Sequence, residues 1–407
     1  MRPRPDRSTA RPRLVSPTLV RVFVASFGGM AGFHLLLSVV PLYATDGGAG
    51  EVGAGATTAA LLLATVAAEL VAPRLVARFG HRSTFGVGLL LLGAPALLLP
   101  ASSTLGAIVT LSAVRGLGFG IVVVLGSALV AELVPAERRG EGLGIFGIVI
   151  GAPGVVALPS GVYLVGQVGY PAVLVAGGVV ALAGLVTVPG LPAGRPGHAG
   201  RQPDHRPVGI IAVSRAPRLL RPAVVFAATA TAAGVVVTFV PLAVTGSATL
   251  AATALLVQAA TAVAGRWWAG WYGDRTGPAR LLIPSLIISA AGILALVLVP
   301  DPVAVMVFAV LFGTGFGVSQ NASLALMFSR ARRDEYGAVS ALWNLAFDAA
   351  MGLGAAGFGV IVTGAGYPLA FVVIGAVMLL ALAPAWRDRS AAAGGPYEPV
   401  RGGGPTP

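Results

Sequence analysis

The sequence contains no cysteine and no lysine, and charged residues make up only 10% of its 407 positions. Without cysteine, disulfides, thiolate metal sites and cysteine nucleophiles are excluded. Without lysine, the chain has no phosphate-binding loop of the Gly-rich Walker type, so an ATP-driven mechanism of that class is excluded. Charged residues make up about a quarter of an ordinary soluble domain, so a soluble globular protein is excluded as well. The four histidines form no metal-binding cluster. An enzyme therefore finds little support, and we expect no metal and no cofactor.

The sequence instead contains long apolar runs. Hydrophobic residues make up 56% of the chain, and the mean hydropathy is +0.88. A helix needs roughly 20 mainly apolar residues to cross a bilayer. Twelve runs of that kind are Leu19–Tyr43, Val52–Val76, Thr84–Pro100, Thr104–Val134, Gly142–Gln167, Pro171–Leu191, Pro222–Val244, Leu250–Tyr272, Leu281–Val299, Val303–Phe328, Tyr336–Val362 and Pro368–Trp386.

The runs predict an all-α integral membrane protein with twelve transmembrane helices. They are continuously apolar, whereas a transmembrane β-barrel is built from short segments of alternating polarity. The first run is far longer than the ~7 to 15 apolar residues of a cleavable signal. We therefore expect it to be a retained first helix.

Nearly all of the positive charge falls on one side of the predicted membrane. Basic residues accumulate on cytoplasmic loops. With the N-terminus inside, 25 of the 27 arginines lie in cytoplasmic segments or at the cytoplasmic ends of runs, and only Arg115 and Arg266 lie deeper within runs. The formal charge of +12 therefore indicates orientation and contact with anionic lipid, and it does not indicate nucleic acid as a partner. We expect a multi-pass protein of the cell (inner or plasma) membrane with both termini in the cytoplasm.

One long polar stretch, rich in Pro, Gly and Arg, divides the runs into six and six. It predicts a cytoplasmic linker between two six-helix bundles, with a disordered cytoplasmic tail at each end of the chain. The predicted boundaries, in chain order, are 1–16 for the first tail, 17–191 for the N-terminal bundle, 192–221 for the linker, 222–389 for the C-terminal bundle and 390–407 for the second tail.

The two halves repeat each other at an offset of 197 residues, which is the separation of Gly80 and Gly277. The same offset places Glu69 on Arg266. It also places three alternating glycines of the fourth predicted helix on the same pattern in the tenth. A single ungapped offset that matches separated motifs predicts two pseudo-symmetric bundles.

Two six-helix halves in parallel repeat resemble the major facilitator superfamily, whose halves rock about a central site near the bilayer midplane. The family's loop signature is a glycine, an acid, an arginine and a glycine. It is kept here between the eighth and ninth helices as Gly270, Asp274, Arg275 and Gly277. Between the second and third helices, Ala77 stands where the family usually has Asp.

The resemblance implies a latch in the second half. In the family, the loop acid caps a helix of the opposite half and holds the cytoplasmic side shut. A carboxylate gains about 0.3 to 1 kcal/mol at an exposed helix N-terminus. We expect Asp274 to do this at the start of the fifth helix, near Glu141 or Gly142, whereas Ala77 cannot do it for the eleventh. The alternative for both loops is that glycines make turns and arginines set topology.

Two more helices resemble proton-coupled members of the superfamily. Arg115 begins an Arg-Gly-Leu-Gly sequence like the fourth-helix motif associated with proton coupling. The fifth helix is similar to the glycine/proline signature of proton-driven antiporters, which favours export. Because glycines let helices approach closely and proline permits a bend, the alternative is a glycine-rich packed helix. The residues of this signature are Gly140, Gly147, Gly151, Pro153 and Gly154.

Five ionisable side chains lie inside the predicted helices, where a charge costs about 2.5 to 3.5 kcal/mol on insertion scales and usually faces a cavity. Asp348, halfway along the eleventh helix, is the first candidate for a proton carrier. The alternative is a permanent pair with an arginine. His34 either relays protons or, as a neutral imidazole, donates to a neighbour. Together with Glu69 and Arg115, these residues form the predicted proton-coupling set.

Glu69 and Arg266 occupy matching depths in the two halves. We expect an ion pair between the halves that breaks as the cavity opens inward. The alternative is that each side chain reaches separately to the inner interface. For Arg266 that alternative is strong, because Trp267, Trp268 and Trp271 resemble an interfacial aromatic belt.

Uncharged polar side chains complete the interior set. Amides suit the orientation of a substrate in an apolar cavity, although hydrogen bonds between helices explain each of them as well. With so few internal charges, a neutral or weakly cationic amphipathic substrate fits better than a polyanion. The substrate-binding candidates are Gln258, Gln320, Asn321, Trp343 and Asn344.

These features together predict a monomeric secondary transporter whose partners are a small-molecule substrate, protons and the bilayer. The favoured hypothesis is proton-coupled export of a small amphipathic drug or metabolite by alternating access. A proton-coupled importer on the same fold is the alternative. A receptor or scaffold that transports nothing is a third hypothesis, from another class.

Overall fold

The protein is described here by a computed structural model of residues 16–135, 138–194, 210–299, 301–332 and 335–393. These ranges are helical and contain no β-strand. Most of the two predicted tails and the middle of the predicted linker lie outside the described residues. Residues 390–393, which were predicted to belong to the second tail, form the end of the last helix, and residues 210–214 of the predicted linker form a short helix.

Thirteen α-helices follow one another in the described ranges, joined in places by short 3-10 or π segments. They are α1 (Pro17–Leu37), α2 (Val39–Ala44), α3 (Gly50–Phe79), α4 (His81–Leu98), α5 (Leu105–Leu133), α6 (Arg139–Ala183), α7 (Ile210–Ser214), α8 (Pro217–Ala243), α9 (Ala248–Thr276), α10 (Ala279–Ala295), α11 (Pro302–Arg330), α12 (Tyr336–Leu380) and α13 (Leu382–Ala393).

Nine apolar helical stretches of the described ranges are long enough to cross a membrane, and three of them have 50 or more residues. At 1.5 Å per residue, 50 residues extend roughly 75 Å, more than twice the ~30 Å apolar core of a bilayer. Each of the three contains a glycine with positive φ that reverses the chain: Gly48 (φ 86°), Gly169 (φ 77°) and Gly366 (φ 74°). Each therefore crosses twice, which confirms the twelve predicted membrane helices.

Glycine contacts pack the helices of each half in the same way. A Cβ added to Gly116 or Gly120 of α5 would overlap the carbonyl of Leu61 or Thr65 on α3. The partners at the 197-residue offset repeat this arrangement: Gly313 of α11 faces the carbonyl of Gln258 on α9, and Gly317 faces that of Ala262. The central glycines, Gly118 and Gly315, lie against α4 and α10. The predicted repeat is thus confirmed contact by contact.

The halves α1–α6 and α8–α13 meet along two pairs of helices, α3 with α12 and α6 with α9. We call the end that carries Gly80, Gly190, Gly277 and Arg330 the arginine-rich end. The opposite end carries the turns at Gly48, Gly169, Gly246 and Gly366.

Ion pairs fasten the second half at its arginine-rich end. Arg218 of α8 pairs with Glu335 at 2.9 Å, and Arg330 of α11 pairs with Asp388 of α13 at 2.8 Å. Arg221 lies 3.9 Å from the same Asp388 carboxyl group, which is only 1% exposed. These pairs join the ends of four helices.

The first half is fastened differently at the same end. Arg82 Nε donates to the Leu191 carbonyl at 3.1 Å, and Arg21 Nη1 donates to that of Gly190 at 3.4 Å. The His81–Glu132 pair, at 3.5 Å, has a half-exposed carboxylate. For Arg21 and Arg82, backbone carbonyls take the place that the acids have in the second half.

Candidate functional site

A cavity of about 390 Å³ lies between the two halves. Four helices of each half line it: α1, α3, α5 and α6 on one side, and α8, α9, α11 and α12 on the other. Helices α4, α10 and α13 contribute no lining residue. A mostly apolar cavity of this size, with a few convergent polar groups, is typical of a small-molecule site.

Within the described residues, the hydrogen bonds that join the halves lie at the opposite end. Ser38 Oγ of α1's end donates to the Val237 carbonyl of α8 at 2.5 Å, and the Thr58 and Thr238 hydroxyls form a hydrogen bond of 2.9 Å. Beside them, Gly55 of α3 lies directly against the Ala355 carbonyl of α12. The cavity is therefore closed at the opposite end.

Toward the arginine-rich end the cavity is open. A Cβ added to Gly144, Gly147 or Gly151 of α6 would meet no atom within 4 Å. A second pocket of about 290 Å³ continues the space, lined by Arg266, Asn321 and other residues of α9, α11 and α12. The structure is thus open at one end and closed at the other.

Two carboxyl groups face this cavity, one from each half. Asp348 of α12 is 5% exposed and lines the cavity together with Glu69 of α3. The two groups are close enough for their charges to interact. Within the described part of the chain, Asp348 forms no hydrogen bond or ion pair, so the alternative of a permanent pair with an arginine finds no support in this conformation.

Arg266 contributes the positive charge of the lining, and its Nη2 donates to Gln320 Oε1. It does not pair with Glu69 here. We predicted that this pair breaks as the cavity opens inward, so it stays a prediction for the state in which the arginine-rich end is closed. The neighbouring Trp267 and Trp271 are 76% and 51% exposed, as a lipid-facing belt requires.

His34 of α1 has a defined hydrogen bond. Its Nδ1 lies 2.8 Å from the Met30 carbonyl, which can only accept, so Nδ1 carries the hydrogen. In the neutral ring, Nε2 is then an acceptor. This atom lies against Gly154 of α6 in the cavity wall.

Arg115 does not line the cavity. Its side chain is 1% exposed within α5, and its Nε and Nη1 have no hydrogen-bond partner in the described part of the chain. Neither Asp348 nor Glu69 pairs with it here, so its role in coupling stays a prediction.

The α6 signature divides into two groups. Gly147, Gly151 and Gly154 line the cavity, whereas Pro153 is buried and is no lining residue. Gly140 lies in the first turn of α6. At Gly147 and Gly151 the glycines leave space and do not bring helices together in this conformation. The alternative that these glycines serve close helix packing therefore does not hold at these two positions in this conformation.

The predicted latch residues lie at the end of α9. Asp274 is exposed, and within the described residues it has no hydrogen-bond or ion-pair partner. Arg275 stacks over the Trp271 ring at 3.9 Å and donates to its carbonyl. Gly277 ends the helix with φ 88°, and Gly270 lies beside Asn321. Capping of α6 by Asp274 stays a prediction.

The predicted substrate candidates Gln258, Gln320, Trp343 and Asn344 line the cavity, and Asn321 lines the second pocket. The aromatic walls of the cavity were not predicted. Phe33 and Phe119 stack at 3.7 Å in one half, while Phe316 and Phe347 lie 6.2 Å apart in the other. No spacing rule distinguishes a cavity phenylalanine from a lipid-facing one, although Phe119 and Phe316 do match at the repeat offset.

The model of the Major Facilitator Superfamily matches residues 22–355 and, in a second alignment, residues 245–405. The chain belongs to this superfamily. As a superfamily member it is a secondary transporter of the multi-pass membrane type, and it is not an enzyme.

Among curated proteins, an uncharacterized MFS-type transporter of Mycobacterium tuberculosis is 31% identical over 139 residues. The match covers 33% of this chain and 24% of the mycobacterial protein, so it spans about a quarter of that protein's length.

Solved superfamily structures share the fold at low identity. A bacterial homolog of the human lysosomal transporter Spinster, in an inward-facing and occupied conformation, is 13% identical with a TM-score of 0.76; the alignment covers 95% of this chain and all of the other. The E. coli xylose transporter XylE is 14% identical with a TM-score of 0.72, covering 91% and 98% of the two chains. The nucleoside transporter NupG is 12% identical with a TM-score of 0.71, covering 92% and 99%.

Proposed function

We propose that this transporter exports a small amphipathic molecule in exchange for protons by alternating access. The observation that carries the proposal is the cavity between the halves, closed at one end, with the unpaired Asp348 carboxyl group in its wall. A cavity open to both sides at once would dissipate gradients, whereas one-sided access permits coupled exchange.

Asp348 is the proposed proton carrier. A charge in apolar surroundings is costly unless it is paired, and a proton is the simplest ligand that neutralises a carboxylate. Glu69, from the other half, faces the same space. Repulsion between two nearby carboxylates adds to the gain when one of them binds a proton. Rocking of the halves then carries this proton from one side of the membrane to the other.

The proposed orientation places the arginine-rich end in the cytoplasm. Positive residues at that end, among them Arg82, Arg218 and Arg330, support it. Both termini and the open side of the cavity are then cytoplasmic, as an exporter that loads from the cell interior requires. We extend the proposal to a monomer in the cell membrane.

The direction of transport rests on α6. Its resemblance to the antiporter signature, including Gly147 and Gly151 in the cavity wall, supports export. Import is the alternative on the same fold. An imposed proton gradient distinguishes the two, because export and import predict movement of the compound in opposite directions. On closure of the arginine-rich end, we propose that Asp274 caps α6 and that Glu69 meets Arg266.

The test uses everted vesicles with an acidic lumen and a panel of neutral, cationic and anionic amphipathic compounds. Export predicts that a transported compound accumulates in the lumen while the lumen becomes less acidic. Asp348→Asn is expected to lose this accumulation and retain downhill equilibration. Asp46→Asn, at an exposed loop acid of the opposite end, serves as the matched control.

Three results would count against the proposal. Proton-driven accumulation retained in Asp348→Asn would remove the carrier assignment. Movement of compound out of the lumen together with protons would favour import. No response to any gradient would favour a receptor or scaffold.

A further inference from the structure

We infer that the cavity recognises an organic cation with an aromatic body, the charge lying at the Glu69–Asp348 pair and the body in a slot over Gly147 and Gly151. The inference rests on the proposed function for the identity of the site, and it adds the charge class and the two subsites.

The charges of the lining favour a cation. Two carboxyl groups face the cavity, and among the lining residues the single cation is Arg266. Its guanidinium group donates to Gln320, and within the described residues it forms no ion pair with Glu69. Asp348 is 95% buried and has no hydrogen-bond partner among the described residues. A buried, unpartnered acceptor of this kind indicates a ligand that supplies the missing positive charge.

The remaining polar atoms also suit a donor ligand. His34 Nε2 is an acceptor, because Nδ1 is bound to the Met30 carbonyl. Asn344 lies one turn before Asp348 on the same face of α12 and lines the cavity. An anionic ligand would face two carboxylates, which costs binding energy through like-charge contact.

The slot follows from the repeat. At the offset of 197 residues, Asn344 and Asp348 correspond to Gly147 and Gly151. The wall formed by α12 therefore carries two polar side chains. The equivalent wall, formed by α6, has glycines without side chains at the same two positions. Nothing lies within 4 Å of a Cβ added to either glycine. This space accepts an apolar body while the charge stays at α12.

Aromatic rings line the cavity in both halves. The Phe33–Phe119 stack lies in the first half, and Phe347 lies in the second. Aromatic faces attract organic cations through the negative charge of the ring face. A bare metal ion fits poorly, since calcium takes 6 to 8 oxygen ligands and the lining acids number two.

The test measures binding without a gradient. The full chain in lipid nanodiscs is titrated with tetraphenylphosphonium and, separately, with tetraphenylborate, which has the same shape and the opposite charge. Saturable binding is taken after subtraction of protein-free nanodiscs. We expect saturable binding of the phosphonium only, weakened about tenfold or more in Asp348→Asn and weakened to a smaller extent in Glu69→Gln. Asp46→Asn should bind like the wild type.

The slot over Gly147 and Gly151 is tested by filling it with a larger side chain. Gly151→Leu fills open space within a helix, where leucine is favoured over glycine, so the variant should fold. It is expected to weaken phosphonium binding several-fold. Gly357→Leu is the control, because Gly357 of α12 is equally open but does not line the cavity.

Several results would overturn the inference: no saturable phosphonium binding, equal binding of the borate, unchanged binding in Asp348→Asn, or displacement of the phosphonium by millimolar sodium. These outcomes are independent of coupling. If the protein binds the phosphonium as described but moves no protons in vesicles, the cation site is supported and the proposed function is contradicted. If it exchanges protons with neutral compounds alone, the proposed function is supported and the cation site is contradicted.

Discussion

The two halves of the molecule share their packing and differ in what they present to the cavity. Gly116 and Gly313 serve the same helix contact, one in each half. Yet Gly151 and Asp348, at equivalent positions of α6 and α12, give one wall a void and the other a carboxyl group. The repeat therefore fixes the scaffold, and divergence between the repeats makes the site.

The same contrast holds at the arginine-rich end. In the second half, Arg330 and Arg221 surround a buried Asp388. In the first half, Arg21 and Arg82 donate to backbone carbonyls. The ion pairs at Asp388 join several helices of the second half. The equivalent contacts of Arg21 and Arg82 join helix ends of the first half without an acidic partner.

The largest expected effect concerns the shared scaffold. Gly116→Ala and Gly313→Ala place a Cβ on a carbonyl of the neighbouring helix, and we expect each to cost about 3 kcal/mol or more. Thermal unfolding in detergent measures this. Gly106→Ala, on the same α5 with open space around it, is the control. Loss of stability in only one of the two variants would contradict the conclusion that Gly116 and Gly313 serve the same helix contact in the two halves.

The next effect separates the halves. Asp388→Asn leaves two arginines without their carboxylate, and we expect a loss of about 2 to 3 kcal/mol, the worth of a hydrogen bond to a charged group. Glu132→Gln, in the half-exposed pair with His81, should cost less than about 1 kcal/mol. Equal melting temperatures for the two variants would remove the contrast.

The smallest effect concerns the closed end. Thr58→Val removes the hydroxyl pair with Thr238 that joins the halves, worth about 1 kcal/mol. We expect a roughly fivefold larger population open at that end. To measure this population, a single cysteine is placed in the cavity and an impermeant maleimide is added from that side. The rate of labelling rises with the open population. Thr110→Val, which removes a hydrogen bond internal to α5, should change nothing.

Much of the fold was predictable because lipid demands long apolar helices whose backbone groups pair internally. The twelve crossings and the repeat offset follow directly from the runs and the glycines. The chain reversals at Gly169 and Gly366 were also marked in the sequence, each by a following proline within two residues.

The site was predictable only in its parts. Asp348, Glu69, Arg266 and His34 stood out as ionisable residues in apolar runs, but their partners depend on how the halves are rotated, which no single helix encodes. The bond from Arg266 to Gln320 belongs to the open conformation. Asp388 was overlooked because the arginines beside it indicated topology, and nothing in the sequence distinguishes a buried acid at this end of the bundle from an exposed one.

The cavity between the halves is accessible from the arginine-rich end, and labelling of cysteines tests this access directly. The chain contains no cysteine, so Gly147→Cys and Asp46→Cys each introduce a unique label site, one in the cavity and one at the opposite end. The measurement is labelling by a membrane-impermeant maleimide in everted and right-side-out vesicles.

We expect Gly147→Cys to react mainly in everted vesicles and Asp46→Cys to react only in right-side-out vesicles. Reaction of both cysteines from the same face, or of Gly147→Cys from neither, would contradict access from the arginine-rich end.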